Sequence, residues 1–197
     1  AGGSRDVWVY AIGAGTLTRL TSSTLNERPE WSPDGTRVLY RTDQSGRPAI
    51  WWRPVDLSAE ASPLVAGPNL DVFEGMLAPD AQRVVFQLDT AGADVYYRAL
   101  TGDTTLHPVA NNAIAIEIMP RVSPDGRWIA FVTNESGRDE VVVQPFPGPG
   151  GRVQVSSDGG AEPLWSRDGK RLFYRGGGLV MAATVAAGPG FAIATRD

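Results

Sequence analysis

The chain has 197 residues, which is enough for one well-buried domain or for one stretch of a repeat array. Its formal net charge of −4 and the lack of a basic stripe argue against a protein that tracks nucleic-acid phosphates. Cysteine is absent, which excludes disulfides, thiolate nucleophiles and zinc sites built on Cys, and no apolar run approaches the roughly 18 residues of a membrane span.

Two short strands are predicted first along the chain, at residues 7–10 and 16–21. A five-residue motif then occurs four times, and its leading residues lie 46, 45 and 43 positions apart. The four copies are WSPDG at 31–35, LAPDA at 77–81, VSPDG at 122–126 and WSRDG at 165–169. Pro presets the first corner of a β-turn, Asp bonds the backbone ahead of it and Gly tolerates positive φ. Each copy therefore predicts a tight turn that joins two strands.

The similarity between the copies continues after the turn. Apolar residues recur seven and nine positions after each leading residue, which indicates a strand with one buried face. They are Val38 and Tyr40, Val84 and Phe86, Ile129 and Phe131, and Leu172 and Tyr174. We expect these side chains to be buried between neighbouring repeats, together with the leading residues Trp31 and Trp165. The loop after this strand also repeats, as TDQSGR at 42–47 and TNESGR at 133–138.

Each unit carries two more predicted strands, so that about 45 residues hold four antiparallel strands, which is typical of one propeller blade. The sequence therefore predicts an all-β fold, a β-propeller built of four-stranded antiparallel blades, with about four complete blades and a half blade in this chain. The predicted half blade is 1–21, and the predicted blades are 22–66, 67–110, 111–156 and 157–197.

The half blade raises the question of ring closure. Strands 7–10 and 16–21 match the outer two strands of a blade, and the last predicted strand is itself an outer one. We expect a piece of a larger propeller whose uncovered end blades associate with another copy. A small closed ring with one defective blade is the alternative.

Charged residues precede each turn by one to five positions, at the start of the innermost strand. Radial blade geometry would bring these starts together at one mouth of the central channel. The candidate binding residues are Glu27, Arg28, Glu74, Glu117, Arg121 and Glu162, with Glu30 close behind. One interpretation is a solvated rim. The other is an acidic mouth that receives a basic side chain or an N-terminal amine from a partner.

Catalytic and metal-binding residues are scarce. His107 is the only histidine, and it lies beside Pro108 in a predicted outer strand, where we expect no catalytic role. No G-x-S-x-G motif is present, and one carboxylate in each turn is too few for calcium. The sequence predicts no catalytic residues, no metal site and no cofactor.

Prolines at 29, 120 and 163 stand two positions before the leading residue of the turn, with Gly75 in the second copy. This P-x-W-S-P-D-G turn, followed by an alternating strand, resembles the repeat of TolB-like, WD-repeat-like propellers of six to eight blades. The segment 141–148 with the turn at 165–169 is similar to the propeller regions C-terminal to bacterial Ser/Thr kinase domains. No kinase motif is present.

The resemblance implies a non-catalytic propeller that binds or scaffolds a protein or peptide, in the periplasm or elsewhere outside the cytoplasm; a cytoplasmic location stays open. We expect no nucleic-acid partner and no direct membrane contact. The alternatives are a small-molecule sensor of a receptor kinase and a substrate-filtering propeller of a prolyl-oligopeptidase-like hydrolase.

Overall fold

The computed structural model describes residues 5–22, 25–89, 92–186 and 190–197, and all regular secondary structure in these ranges is β-strand. No helix in the same ranges is long and apolar enough to cross a membrane. The prediction of an all-β propeller fold is confirmed by the strand order and sheets that follow.

The strands form one two-stranded sheet and four four-stranded sheets, all antiparallel and in sequence order. The half blade holds β1 (Trp8–Ala11) and β2 (Thr16–Arg19). The first complete sheet holds β3 (Asn26–Trp31), β4 (Arg37–Thr42), β5 (Ala49–Pro54) and β6 (Ser62–Val65), and the second holds β7 (Val72–Leu77), β8 (Arg83–Asp89), β9 (Ala93–Ala99) and β10 (His107–Ala110). The third holds β11 (Glu117–Val122), β12 (Trp128–Thr133), β13 (Glu140–Pro145) and β14 (Val153–Gln154). The fourth holds β15 (Ala161–Trp165), β16 (Arg171–Gly176), β17 (Leu179–Val185) and β18 (Ile193–Arg196).

The chain divides into two compact units, residues 1–77 and 78–197. In the first unit, the half blade covers the neighbouring sheet, because Val7 and Leu20 pack on Val38 and Tyr40. In the second unit, alternate residues of β12 and β13 pack on Leu172, Tyr174 and Trp165 of the last sheet. Burying a large apolar side chain contributes about 1.5–3 kcal/mol, so these inter-sheet faces supply much of the stability.

All eight side chains predicted to be buried seven and nine positions after the leading residue are buried. Phe86 and Phe131 are completely inaccessible, and Tyr174 is the most accessible of the set at 5%. Period-two alternation places these positions on one face of the second strand, so a single register explains all four copies.

Trp31 contradicts the prediction that both leading tryptophans are core residues. Trp165 is 9% exposed, and its indole Nε1 donates to the carbonyl of Arg121 on the preceding inner strand at 3.0 Å. Trp31 is 53% exposed. In the described part of the chain the sheet before it consists of β1 and β2 only, so no inner strand lies where β11 lies for Trp165.

The repeat turns have the predicted form, with an added contribution from serine. Ser32 Oγ lies 2.6 Å from Asp34 Oδ1 and accepts the Arg37 N–H, while Asp34 Oδ1 accepts the Thr36 N–H. These hydrogen bonds, that from Ser32 first, lower the pKa of Asp34 to about 2. The same pairing recurs between Ser123 and Asp125 and between Ser166 and Asp168.

The two copies of the TxxSGR loop link neighbouring sheets, and we name residues 42–47 and 133–138 the latch loops. In the first, Arg47 pairs with Asp71 at 2.7 Å, just before β7. In the second, Arg138 pairs with Asp158 at 2.7 Å, just before β15. The repeated arginine therefore ties each loop to the start of the following sheet.

Candidate functional site

Three of the six predicted site residues belong to the first unit, and two of them form an ion pair. Arg28 Nη1 on β3 donates to Glu74 Oε2 on β7 at 3.1 Å. Glu74 is buried, whereas Arg28 keeps 36% of its side chain exposed. The Arg28 guanidinium also stacks over the ring of Phe73, 4.3 Å from its centroid. This aromatic contact holds the cation in place while one side of it still faces solvent.

Glu27, the third residue, is paired with two arginines. It accepts hydrogen bonds from Arg5 at 2.9 Å and from Arg41 at 2.8 Å. Arg41 also lies 5.4 Å from the Phe73 centroid. The first unit therefore presents a mixed arginine, carboxylate and phenylalanine cluster at the start of its inner strands, which we name the β3–β7 cluster: Arg5, Glu27, Arg28, Arg41, Phe73 and Glu74.

A strained backbone position recurs at the start of the inner strands. Arg28, Met119 and Glu162, each three positions before the leading residue of the turn, have φ values of 52°, 56° and 54°. Each lies inside a register shift between the first and second strands of its sheet, and each precedes a proline. A left-handed conformation costs a non-glycine residue about 1–2 kcal/mol, and a following proline adds steric restriction.

Such strain persists only where the surrounding structure enforces it, and it is concentrated at ligand sites and switches. The bulge re-aims one side chain at the same position of three inner strands. The prolines were visible in the sequence as a repeat feature, but proline spacing alone gives no sign of a left-handed residue before it. This recurrent left-handed position is the structural feature that sequence reasoning missed.

Glu117 in the second unit is fully buried. Its Oε2 accepts the Asn112 N–H at 3.0 Å, and its Oε1 lies 3.5 Å from Arg152 Nη2. Burial raises the pKa of Glu117, and the nearby charge of Asp94 acts in the same direction, while Asn112 and Arg152 oppose the shift. Arg152 also pairs with Glu135 at 3.0 Å. Glu117 is therefore a buried carboxyl group that is fixed by hydrogen bonds and does not face solvent.

The remaining two predicted residues have different surroundings. Arg121 is half-buried; its Nη1 donates to the Pro120 carbonyl at 2.7 Å, and its own carbonyl accepts the Trp165 indole N–H. Glu162 is exposed and pairs with Arg175, also exposed, at 3.1 Å.

Each predicted carboxylate thus has an arginine partner within its own unit. Glu162 is exposed, as the interpretation of a solvated rim expects, whereas Glu74 and Glu117 are buried. All four carboxylates are paired with arginines, and the acidic mouth stays a prediction. Arg41 and Arg175 each lie ten positions after the leading residue of their turn, on the second strand, whereas Arg5 and Arg152 lie far from the turn that follows or precedes them in sequence.

His107 lies on β10, at the edge of its sheet, as the sequence predicted. Its ring stacks on Tyr97 with centroids 5.0 Å apart, and its Nε2 lies 3.1 Å from Thr105 Oγ1. Among residues 5–22, 25–89, 92–186 and 190–197, no group of three or more His, Asp or Glu side chains is placed to hold a metal ion. The absence of catalysis, metal and cofactor stays a prediction.

No family model matches the chain. A TolB homologue from Chlorobium luteolum is 28% identical over 142 residues, covering 72% of this chain and 31% of that protein. The Tol-Pal system protein TolB of Bordetella pertussis is 28% identical over 113 residues, covering 57% of this chain and 25% of that protein. The chain therefore spans about a quarter to a third of the length of these curated relatives.

The crystal structure of TolB from Acinetobacter baumannii superposes with a TM-score of 0.77 at 19% identity, covering 96% of this chain and 48% of that one. Likeness at that identity shows the fold, and the fold agrees with the four-stranded sheets and the repeated turn described above. The similarity to the propeller regions of kinases stays a prediction. The chain has the fold and the repeat of a TolB-like β-propeller.

Proposed function

We propose that this chain is a non-catalytic, protein- or peptide-binding part of a TolB-like propeller that works outside the cytoplasm. The observation that carries the proposal is the strained position shared by Arg28, Met119 and Glu162. Three inner strands hold a costly backbone conformation at one point of the repeat, and conformations of this kind are concentrated at ligand sites and switches. We assign that point to partner recognition.

The β3–β7 cluster shows how recognition would work in the first unit. Arg28 is held by Glu74 on one side and by the Phe73 ring on the other, so little side-chain entropy is lost when it binds. A carboxylate on the partner can approach its exposed side and form a charge-assisted hydrogen bond. The partner segment favoured here is therefore acidic, rather than the basic one that unpaired glutamates would favour.

The relatives support a protein partner. The Bordetella pertussis protein is named as a Tol-Pal system protein, so a role within an assembly of that kind is the form of the proposal that we favour. The location outside the cytoplasm rests on the same resemblance. A sensor role for small molecules and a substrate-filtering role for a hydrolase remain the alternatives.

Site-specific photo-crosslinking in the bacterium that encodes the protein tests the proposal. A photoreactive amino acid is placed at 28, 119 or 162, and at the exposed outer-strand positions Thr16, Ser62 and Thr195 as controls. We expect protein adducts at the inner-strand positions and few at the controls, with mass spectrometry giving the partner. Adducts spread equally over both sets, or none at 28, 119 and 162, would contradict it.

A charge test refines the assignment. Arg28→Glu should abolish adducts formed from a photoreactive amino acid at position 30 of the same strand, because the acidic partner segment then meets a like charge. Arg19→Glu on β2 is the matched control, because Arg19 is also an exposed arginine in an ion pair but lies on an outer strand. Equal effects of the two reversals would show a general charge effect instead of a site.

A further inference from the structure

A hollow lies between the outer strands of the second and third complete sheets, inside the second unit. Its volume of about 440 Å³ falls within the roughly 300–1,000 Å³ of small-molecule sites. The second sheet contributes Tyr97 and His107, and the third contributes Gln144, Arg152 and residues 147–150 of the β13–β14 loop. A complete four-stranded sheet therefore stands on each side of the hollow.

The second sheet lines the hollow with a stacked pair of aromatic rings. His107 is the cross-strand partner of Tyr97, and the two ring centroids are 5.0 Å apart with an angle of 21° between the planes. The Tyr97 ring also meets the buried ring of Phe146 edge-on, with centroids 5.5 Å apart. His107 keeps 42% of its side chain exposed. The stack thus runs from a buried ring to an exposed one, and the hollow has a fixed aromatic surface.

The third sheet supplies a buried amide. Gln144 is 6% exposed; its Nε2 donates to the Val109 carbonyl at 2.9 Å, and its Oε1 accepts from Arg152 Nε at 3.2 Å. A glutamine amide has two donor hydrogens and two acceptor lone pairs. Within the residues that the structure describes, one donor and one acceptor site of this side chain are therefore left for a ligand at the hollow.

Arg152 adds hydrogen-bonding groups but little net charge. Its Nη1 lies 3.0 Å from Glu135 and its Nη2 lies 3.5 Å from Glu117, and its guanidinium lies 5.3 Å from the centroid of Phe131. An anion would therefore compete with two carboxylates that are already in place. Among the described residues that line the hollow, none carries a carboxylate that would attract a cation. The lining consequently suits a polar ligand without charge.

The β13–β14 loop is shaped by a close approach of the backbone. A Cβ added at Gly150 would lie 2.8 Å from Pro145 Cδ, whereas one added at Gly151 would have no atom within 4 Å. Glycine at 150 therefore lets the loop fold back over Pro145. The loop presents the exposed Pro147 and Pro149 to the hollow, and the fixed φ of each proline stiffens that side.

We propose that this hollow binds a neutral carbohydrate. The C–H groups of a sugar ring are slightly positive and pack on the negative face of an aromatic ring, which the Tyr97 and His107 pair provides. The hydroxyl groups of the sugar both donate and accept, so they match the remaining donor and acceptor of the Gln144 amide. A purely apolar ligand would leave that buried amide unsatisfied.

The carbohydrate site is independent of the function proposed above. It belongs to the second unit, and none of its residues is part of the β3–β7 cluster or occupies position 28, 119 or 162. Loss of protein adducts at those positions would leave carbohydrate binding untouched, and the reverse holds as well.

An array of neutral, acidic and amino saccharides, probed with the labelled 197-residue protein, tests the class of ligand. We expect neutral saccharides to be retained, and nuclear magnetic resonance titration with a retained saccharide to shift the signals of the His107 ring and the Gln144 side-chain amide. If no saccharide is retained, or only acidic ones are, the proposal is wrong. Binding of decaproline in place of the saccharides would show a groove for extended peptides and would also overturn it.

Substitutions at the aromatic wall locate the binding. Tyr97→Ala should weaken the retained saccharide by about tenfold, and Tyr97→Phe should keep most of the affinity, because it keeps the ring. Tyr10→Ala, at an exposed tyrosine of the first unit, is the matched control. His107→Ala, at a more exposed ring, gives the same test if Tyr97→Ala does not fold. Equal affinities of the Tyr97→Ala, His107→Ala and Tyr10→Ala proteins would contradict the site.

Two glycine substitutions test the loop wall without removing any side chain from the hollow. Gly150→Ala must displace the loop or Pro145, so we expect a loss of saccharide binding. Gly151→Ala is the neighbouring control and should bind like the unchanged protein, because its added Cβ meets open space. Circular dichroism confirms that both variants are folded. Equal saccharide affinities of the two folded variants would exclude the loop from the site and overturn the proposal.

Discussion

Trp31 and Trp165 occupy the same position of the same repeat, yet one is largely exposed and the other is buried. The motifs around them are nearly identical, WSPDG and WSRDG. The difference comes from the sheet that precedes each one, because Trp165 packs against a complete inner strand and Trp31 follows a two-stranded sheet. In a repeat fold, a residue's burial depends on its neighbouring unit as much as on its own sequence.

Truncation of the two tryptophans gives the largest expected difference. Trp165→Ala should lower the free energy of unfolding by about 3–5 kcal/mol, the usual cost of removing a packed aromatic side chain. Trp31→Ala should cost about 1 kcal/mol or less, because an exposed side chain loses little packing. Urea denaturation of the two variants measures both values.

Phe131→Ala is the positive control for that pair, since Phe131 is completely buried, and it should cost about 3–5 kcal/mol. Equal costs for Trp31→Ala and Trp165→Ala would show that both leading tryptophans are covered in solution. That result would contradict the open face of the first complete sheet.

The second comparison is between the latch loops. In the loop at 133–138, Arg138 also pairs with Glu140 at 2.6 Å, and the buried Glu140 accepts from Ser156 and from the Gly159 N–H. Glu140 is the cross-strand partner of Thr133, the first residue of this loop. At the corresponding position of the first copy, Ala49 is the cross-strand partner of Thr42. Glu140→Ala should cost about 1–3 kcal/mol, because the variant leaves the buried Ser156 hydroxyl and the Gly159 N–H without this acceptor.

Glu140 and Glu117 should shape the pH dependence of stability with opposite signs. Burial by itself raises the pKa of Glu140, but the hydrogen bonds from Ser156, Gly159 and Arg138 lower it overall, below the ordinary 4.5. Glu140 therefore stabilises the fold above pH 4.5, and that stability is lost as pH falls through the lowered pKa. In Glu140→Gln, the free energy of unfolding measured by urea denaturation should therefore depend less on pH below 4.5.

The raised pKa of Glu117 acts in reverse, since ionisation of a buried carboxyl is unfavourable. The free energy of unfolding should fall as pH rises from 4.5 through the raised pKa, and Glu117→Gln should remove this fall. Identical pH profiles for the two glutamine variants would contradict the assigned environments.

Much of the fold could be predicted from the sequence, because a local repeat encodes it. The turn residues, the alternation at Val38 and Tyr40, and the strand order all follow from short-range patterns. The exposure of Trp31 could not be predicted by analogy with Trp165, since it depends on a strand that must lie in the neighbouring sheet. The ion pairs of Glu27, Glu74 and Glu117 join residues that are at least 14 positions apart in sequence. The left-handed backbone of Arg28 could not be predicted either, because arginine is not a residue type that favours positive φ.

The turns provide a smaller comparison, in which one copy departs from glycine. Ala81 has a φ of 51°, where Gly126 has 72°. Gly126→Ala should cost about 0.5–1 kcal/mol, because left-handed strain of about 1–2 kcal/mol is partly offset by the lower entropy of the unfolded chain, and no atom lies within 4 Å of the added Cβ. Ala81→Gly should stabilise the protein by about 0.5–1 kcal/mol, after the entropy of glycine is subtracted. Thermal denaturation that shows the same sign for both changes would contradict this account.

The smallest expected effect is that of the exposed latch pair. Arg47→Ala breaks the ion pair with Asp71, in which both side chains are substantially exposed, and should cost no more than about 1 kcal/mol. Its cost should shrink further in 1 M salt, where the screening length is about 3 Å. A larger, salt-independent cost in urea denaturation would show that the latch acts through packing.

Hydroxyl-radical footprinting of the intact protein tests the central comparison most directly. Mass spectrometry resolves oxidation at each tryptophan, so Trp31 and Trp165 are measured in the same sample. The structure predicts fast oxidation of Trp31 and strong protection of Trp165. Equal protection of the two residues would contradict the difference in exposure between Trp31 and Trp165.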